Sequence, residues 1–183
     1  YDGIPPGILR RMGKAIRMGV GAAMPILKSS NPVNGIIIGT AKGGMEDCIK
    51  FLNQIVQYEE GLLAPGNFVQ STSNAIAAQL GLLSHNKSYN TTHVHRGLAF
   101  ENAVIDSIMQ LNEFPGTQYL LGGVDEISDF NYNIETLSGA YKKESVSNEH
   151  LYDTDSPGSI AGEGAAMFLV NRQKENAIAK LQA

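Results

Sequence analysis

With 183 residues, 43% of them hydrophobic and 17% charged, the chain has the size and apolar content of one globular domain with a sizeable core. Its net charge of -4 lacks the basic excess of a general nucleic-acid binder, and no apolar run approaches the ~20 residues of a membrane span. The single cysteine, Cys48, excludes an intrachain disulfide and fits a reducing, cytoplasmic setting.

The first expected element is one long helix. Pro5 and Pro6 are tolerated only in its first turn, and Ile8, Met12, Ile16, Val20, Ala23 and Leu27 step into one apolar stripe. Arg10, Lys14 and Arg17 fall on another face with Arg11 beside them. This basic patch reads either as a solvated face or as a docking surface for an acidic partner. Ser29-Ser30-Asn31-Pro32 ends the helix, Ile36-Ile37-Ile38 is a buried strand, and the glycine-rich stretch from Gly39 to Gly44 leads into a helix from about Met45 to Tyr58. That order invites a phosphate-loop reading. Lys42, however, is followed by Gly43 and Gly44 and not by the hydroxyl that would hold magnesium, so no nucleotide or other cofactor is expected. Cys48, beside Asp47, reads as a small buried hydrophobe and not as a reactive thiol.

Gly61 to Asn67 reads as a loop, and Ser71 to Leu83 as a helix whose small Ala75, Ala77 and Ala78 should pack closely on the helix that follows His95. Asn86-Lys-Ser and Asn90-Thr-Thr are formal glycosylation acceptors, relevant only to a secreted protein. Tyr89 to Val94 is rich in β-branched and aromatic residues and reads as a strand. After the junction His93-Val94-His95-Arg96-Gly97, Leu98, Ala99, Val104, Ile105, Ile108, Met109 and Leu111 recur at helical spacing. His95 thus falls at a strand-to-helix turn, where free N–H groups and the helix dipole favour negative charge. Tyr119-Leu120-Leu121 is a buried strand stopped by Gly122-Gly123. Asp125 and Glu126, being adjacent, should point to opposite faces. Beyond Glu126 the chain reads as irregular, with turn chemistry from Asp153 to Gly158, and a run of this length is functional or mobile. Ala165 to Val170 is the last strand and Gln173 to Leu181 a closing helix.

The stretch from Tyr89 to Glu126 resembles the nucleophile elbow of the β-ketoacyl synthases, the condensing enzymes of fatty acid and polyketide synthesis. Arg10-Arg11-Met12, Gly35 to Gly44, Ser71 to Leu80 and Gly162 to Val170 fall in that family's order and approximate spacing, so the resemblance covers nearly the whole chain. It implies a thiolase-like α/β fold, a mixed sheet flanked by helices, with residues 1–183 as its N-terminal half. The natural protein is then expected to be longer, with a further strand before Tyr1 at the centre of the sheet. His95 aligns with the family's cysteine. Glu126 resembles the family's Gly-Gly-x-x-Glu glutamate, and with Glu163 it is expected to be a buried hydrogen-bonding anchor of the active-site floor, so that Glu126→Gln lowers stability. Thiolase-like proteins pair through the strand before the nucleophile. The resemblance therefore implies a dimer through Tyr89, Asn90, Thr91, Thr92 and His93, homomeric or with a cysteine-containing ketosynthase. It also makes an acidic acyl carrier protein the candidate partner of Arg10, Arg11, Lys14 and Arg17.

A condensing enzyme of this family carries its acyl group as a cysteine thioester and uses two histidines, or a histidine and an asparagine, to decarboxylate a malonyl extender. The helix N-terminus lowers the thiol pKa there, whereas imidazole forms no equally stable thioester, and the two basic residues belong to the second half of the fold. Two readings follow. The chain is a non-catalytic subunit similar to chain-length factors, or it is an acyl-transferring or decarboxylating enzyme in which His95 acts as general base or binds a carbonyl. A zinc pair of His93 and His95 would need a third ligand from His85, His150 or Asp125; otherwise His93 is a histidine satisfied by a carbonyl. Asp153 and Asp155 could hold a hard cation, or simply be solvated.

Overall fold

The computed structural model describes residue 1 and residues 3–181. Strands β1 (Gly35–Thr40), β2 (Tyr89–Val94), β3 (Gln118–Asp125) and β4 (Gly164–Asn171) form one mixed sheet in the order β2-β1-β3-β4. β1 runs parallel to β2 and β3, and β4 runs antiparallel to β3. The helices are α1 (Pro6–Leu9), α2 (Lys14–Ser29), α3 (Met45–Gln57), α4 (Pro65–Gln70), α5 (Ala75–Ser84), α6 (Ala99–Glu113) and α7 (Asp129–Leu137).

The sheet is covered on both faces. Ile36, Ile38, Leu120 and Val124 pack on one side with Ile16, Val20 and Ala23 of α2 and Ile76, Ala77 and Leu80 of α5. Ile37, Tyr119 and Leu121 pack on the other with Ala103 and Leu111 of α6. Double coverage is why β1, buried at all six positions, reads as a continuous apolar run. Each such isoleucine contributes about 1.5–3 kcal/mol on burial.

The structure changes several expectations. The long first helix is two, because Gly13 is extended at the start of α2 (φ -61°, ψ 168°). Gln70 accepts the Gly13 N–H at 2.5 Å, and the Asp47 carboxylate fills the space a Cβ there would need. Residues 65–70, read as part of a loop and its exit, form α4, and α5 starts at Ala75. Ala75 and Ala77 pack on the α2 side and not on α6, since α5 and α6 lie on opposite faces, and Ala78 is exposed; a Cβ on Gly19 of α2 would stand 2.7 Å from Ile76 Cγ2. β3 continues through Gly122-Gly123, where Met167 and Phe100 occupy the space side chains would take.

Helix α7 forms where the sequence reads as irregular, capped by Ser128, which accepts the Asn131 N–H at 3.2 Å. The stretch between α7 and β4 folds on itself. Thr154 and Ser156 donate to Glu144, and Lys142 donates to Ser156. The closing helix does not form: among the described residues no helix follows β4, and Ile178, 96% exposed, has nothing to pack on. Cys48 is half-buried in α3. Where the resemblance puts a central strand, β1 pairs directly with β3, from Gly35 opposite Tyr119 to Gly39 opposite Gly123. Both glycosylation acceptors are engaged internally: Asn86 donates to the Val33 carbonyl at 2.6 Å and Asn90 to the Ala77 carbonyl at 2.9 Å. Among the described residues no helix is long and apolar enough to cross a membrane.

Candidate functional site

Parallel sheets gather functional groups beyond the carboxyl ends of their strands. Here those ends are tied together. Asp125 accepts the Thr40 hydroxyl at 3.0 Å and the Ala41 N–H at 2.8 Å, and the Ala41 carbonyl accepts the Arg96 N–H at 3.2 Å. Burial pushes the Asp125 carboxyl above the ordinary range, against the opposing pull of its hydrogen bonds from Ala41 and Thr40.

His95 follows β2 directly, is exposed, and opens a single 3₁₀ turn, Arg96–Leu98, that leads into α6. Arg96 takes φ +38°, a left-handed conformation uncommon for a residue with a side chain. The His95 ring makes no hydrogen bond among the described residues. Around it the charge is paired: Glu135 of α7 binds the Lys42 ammonium and lies 3.5 Å from the Arg96 guanidinium. The Lys42 hydrogen bond holds the Glu135 carboxyl below its usual range. Cys48 lies in α3, so no thiol stands at the junction.

β2 is an edge strand whose two faces are both engaged. On the α6 side, the Tyr89 hydroxyl donates to Asp106, 3.0 Å from either oxygen, and His93 Nε2 lies 2.8 Å from Asp106 Oδ2. On the α5 side, Asn90 bonds Ala77 as above and Thr92 donates to Asn74 at 2.9 Å. His93 is thus satisfied by a carboxylate and not by a carbonyl. β2 ends at Val94, so His95 does not share the strand face of His93, and among the described residues no three metal-ligating side chains gather. Asp153, the other cation candidate, lies 2.7 Å from His150 Nδ1.

Arg10, Arg11, Lys14 and Arg17 do come together, around a cleft of about 510 Å³ at the N-terminus of α2, but Glu46, Asp47 and Glu126 share its walls. Lys14 is engaged internally, donating to Glu163 at 2.5 Å and to the Ile127 carbonyl at 2.7 Å. Glu126 accepts the Ala15 N–H at 3.1 Å. Glu126 and Glu163 therefore anchor the first turn of α2, where the helix dipole favours anions, and not a floor beneath His95; Glu163 is moreover exposed.

Burial, reinforced by the Asp47 charge, raises the Glu126 carboxyl, and burial raises Asp47 as well. A carboxyl raised in the folded state stabilises fully only below its unfolded pKa, and that contribution is lost as pH rises through the folded value. At neutral pH the Glu126 charge therefore costs stability. Glu126→Gln keeps an acceptor for Ala15 while removing the charge, which reverses the expectation from sequence. The variant should melt higher at pH 7, by under about 1 kcal/mol after solvent screening, with the gain vanishing in acid. Glu126→Ala should instead lose about 1 kcal/mol with the cap. Thermal melts across pH 4 to 8 check both signs.

Sequence reasoning did not single out Asp106, Glu135 or the ion-pairing role of Lys42. Asp125 had a visible signal, its place at a strand end. Asp106 has none by spacing, because its pairing with His93 exists only once α6 folds back over β2.

Residues 1–141 match the family described as beta-ketoacyl synthase, N-terminal domain. No curated protein matches the sequence significantly. Among solved structures, the ishigamide ketosynthase/chain length factor is similar with a TM-score of 0.71 and 20% identity, over 95% of this chain and 47% of its own. The ketosynthase ApeO in complex with its chain length factor ApeC from Xenorhabdus doucetiae gives 0.64 and 19%, over 72% and 54%. AntDE:AntF, a type II PKS acyl-carrier protein in complex with its ketosynthase bound to the hexaketide, gives 0.66 and 20%, over 92% and 50%. At these identities the likeness is one of fold, the thiolase-like mixed α/β architecture, and the chain spans about half the length of these structures. With its N-terminal 141 residues matching that domain, the chain belongs to the beta-ketoacyl synthase family.

Proposed function

We propose that the chain is the N-terminal half of a longer ketosynthase-like subunit that carries no acyl group itself. It partners a cysteine-containing ketosynthase, as chain length factors do, in polyketide or fatty acid synthesis in the cytoplasm. The observation that carries this reading is the junction: β2 leads into α6 through an exposed His95, the residue we align with the family's nucleophile, and the one cysteine lies in α3. Two of the similar structures pair a ketosynthase with a chain length factor, which supports it. A general base is normally oriented by a second group. His95 has none among the described residues, whereas His93 has Asp106. This weighs against catalysis by His95.

The outer edge of β2 supports a dimer through Tyr89 to His93. Among the described residues β2 pairs only with β1, and its side chains are occupied by α5 and α6, so it presents backbone N–H and C=O groups outward. With Lys14 held by Glu163, an acyl carrier protein is left Arg10, Arg11 and Arg17 to dock on. Co-expression with the ketosynthase of the same organism should yield a one-to-one complex by sedimentation. A monomer, alone and in the mixture, contradicts the pairing.

A further inference from the structure

We propose that Lys42 and Arg96 form a binding site for an oxyanion, a carboxylate or phosphate group, which Glu135 now fills as an internal stand-in, so that α7 is a latch such a ligand displaces. Lys42 carries the argument furthest. Its side chain is 15% exposed, its Nζ is buried, and Glu135 is its one partner among the described residues. An ammonium has three donors, and buried donors in folded proteins are nearly always used. Here the capacity is left over.

Arg96 adds a second cation to the same carboxylate. Its side chain is 72% exposed while one guanidinium nitrogen rests 3.5 Å from Glu135, so the rest of the planar fork is open to another oxyanion. The positive φ of Arg96 and its N–H bond to Ala41 fix where that fork starts. Both cations converge on the Glu135 carboxylate of α7, beside the strand ends where a parallel sheet places ligands, while Asp125 is occupied by Thr40 and Ala41.

α7 is lightly packed. Asn131 is its one buried residue and donates to the Glu126 carbonyl at 3.3 Å, Tyr132 meets the Tyr141 ring, Phe130, Ile134 and Leu137 are exposed, and the helix packs chiefly on α3. The Glu135 ion pairs are its ties to the loops that follow β1 and β2, and an anion competing for Lys42 and Arg96 would loosen the helix.

The test measures inorganic phosphate binding by isothermal titration calorimetry at fixed ionic strength, to the full chain and to Glu135→Gln. Removing the internal competitor should tighten binding by about tenfold or more, and adding Arg96→Ala should abolish the gain. Equal affinity in wild type and Glu135→Gln, or a gain that survives Arg96→Ala, overturns the proposal. A second readout needs no variant: in the wild-type chain, phosphate should speed amide hydrogen exchange across 129–137 relative to chloride at the same ionic strength. Unchanged exchange there overturns it equally.

Discussion

Gly39→Ala is expected to cost about 3 kcal/mol of stability, the upper end for adding one methyl group to a packed interior. The methyl would stand 2.6 Å from the Ala99 carbonyl oxygen, 2.7 Å from its carbon and 2.8 Å from Phe100 Cα. All three atoms are backbone, so no flexible side chain can yield. Relief requires α6 to lift from β1, and α6 carries both the fully packed Ala103 and the Asp106 that binds Tyr89 and His93. Gly39 also lies opposite His93 in β2 and Gly123 in β3, so the strain falls on the centre of the sheet. Gly97→Ala is the control, because a Cβ there meets nothing within 4 Å. It should stay within about 0.5 kcal/mol of wild type. Urea denaturation midpoints decide the matter, and a wild-type midpoint for Gly39→Ala contradicts the packing of α6 on β1.

His95→Cys should create the most reactive thiol in the chain. The position is exposed, opens the turn into a 15-residue helix and precedes Arg96 in the chain, features that favour a thiolate. Cys48 is half-buried within α3 and has Glu46 and Asp47 immediately before it in the same helix. Iodoacetamide should therefore label Cys at position 95 about tenfold or more faster than Cys48. Equal rates would mean that the junction has lost the electrostatics of a nucleophile site along with the nucleophile.

The sequence disclosed the elements whose reason for existing is local. Ile36-Ile37-Ile38 and Tyr119-Leu120-Leu121 are apolar without alternation because both faces are buried, and β2 begins and ends where its β-branched run does. The misread elements depend on distant contacts. Gly13 breaks the first helix because Gln70 and Asp47, more than thirty positions away, close on it. Gly122-Gly123 looks like a stop and is instead a strand segment crowded by Met167 and Phe100. The candidate site divides in the same way. The position of His95 at a strand-to-helix junction follows from the pattern around it, but the roles of Glu126 and Glu163 do not. Both serve the first turn of α2, a contact that forms only when β3 and β4 bring residues 126 and 163 to one helix end.

The absence of an acyl-carrying residue is the claim on which the functional reading stands. Its most direct test is the intact mass of the full-length protein before and after incubation with acyl-loaded carrier protein. No acyl adduct on residues 1–183 is the expected result, because the junction holds His95 and the only thiol of this stretch sits in α3. A mass increase equal to the acyl group that peptide mapping places within residues 1–183 would contradict the account and return His95, or another residue of this stretch, to the role of catalyst.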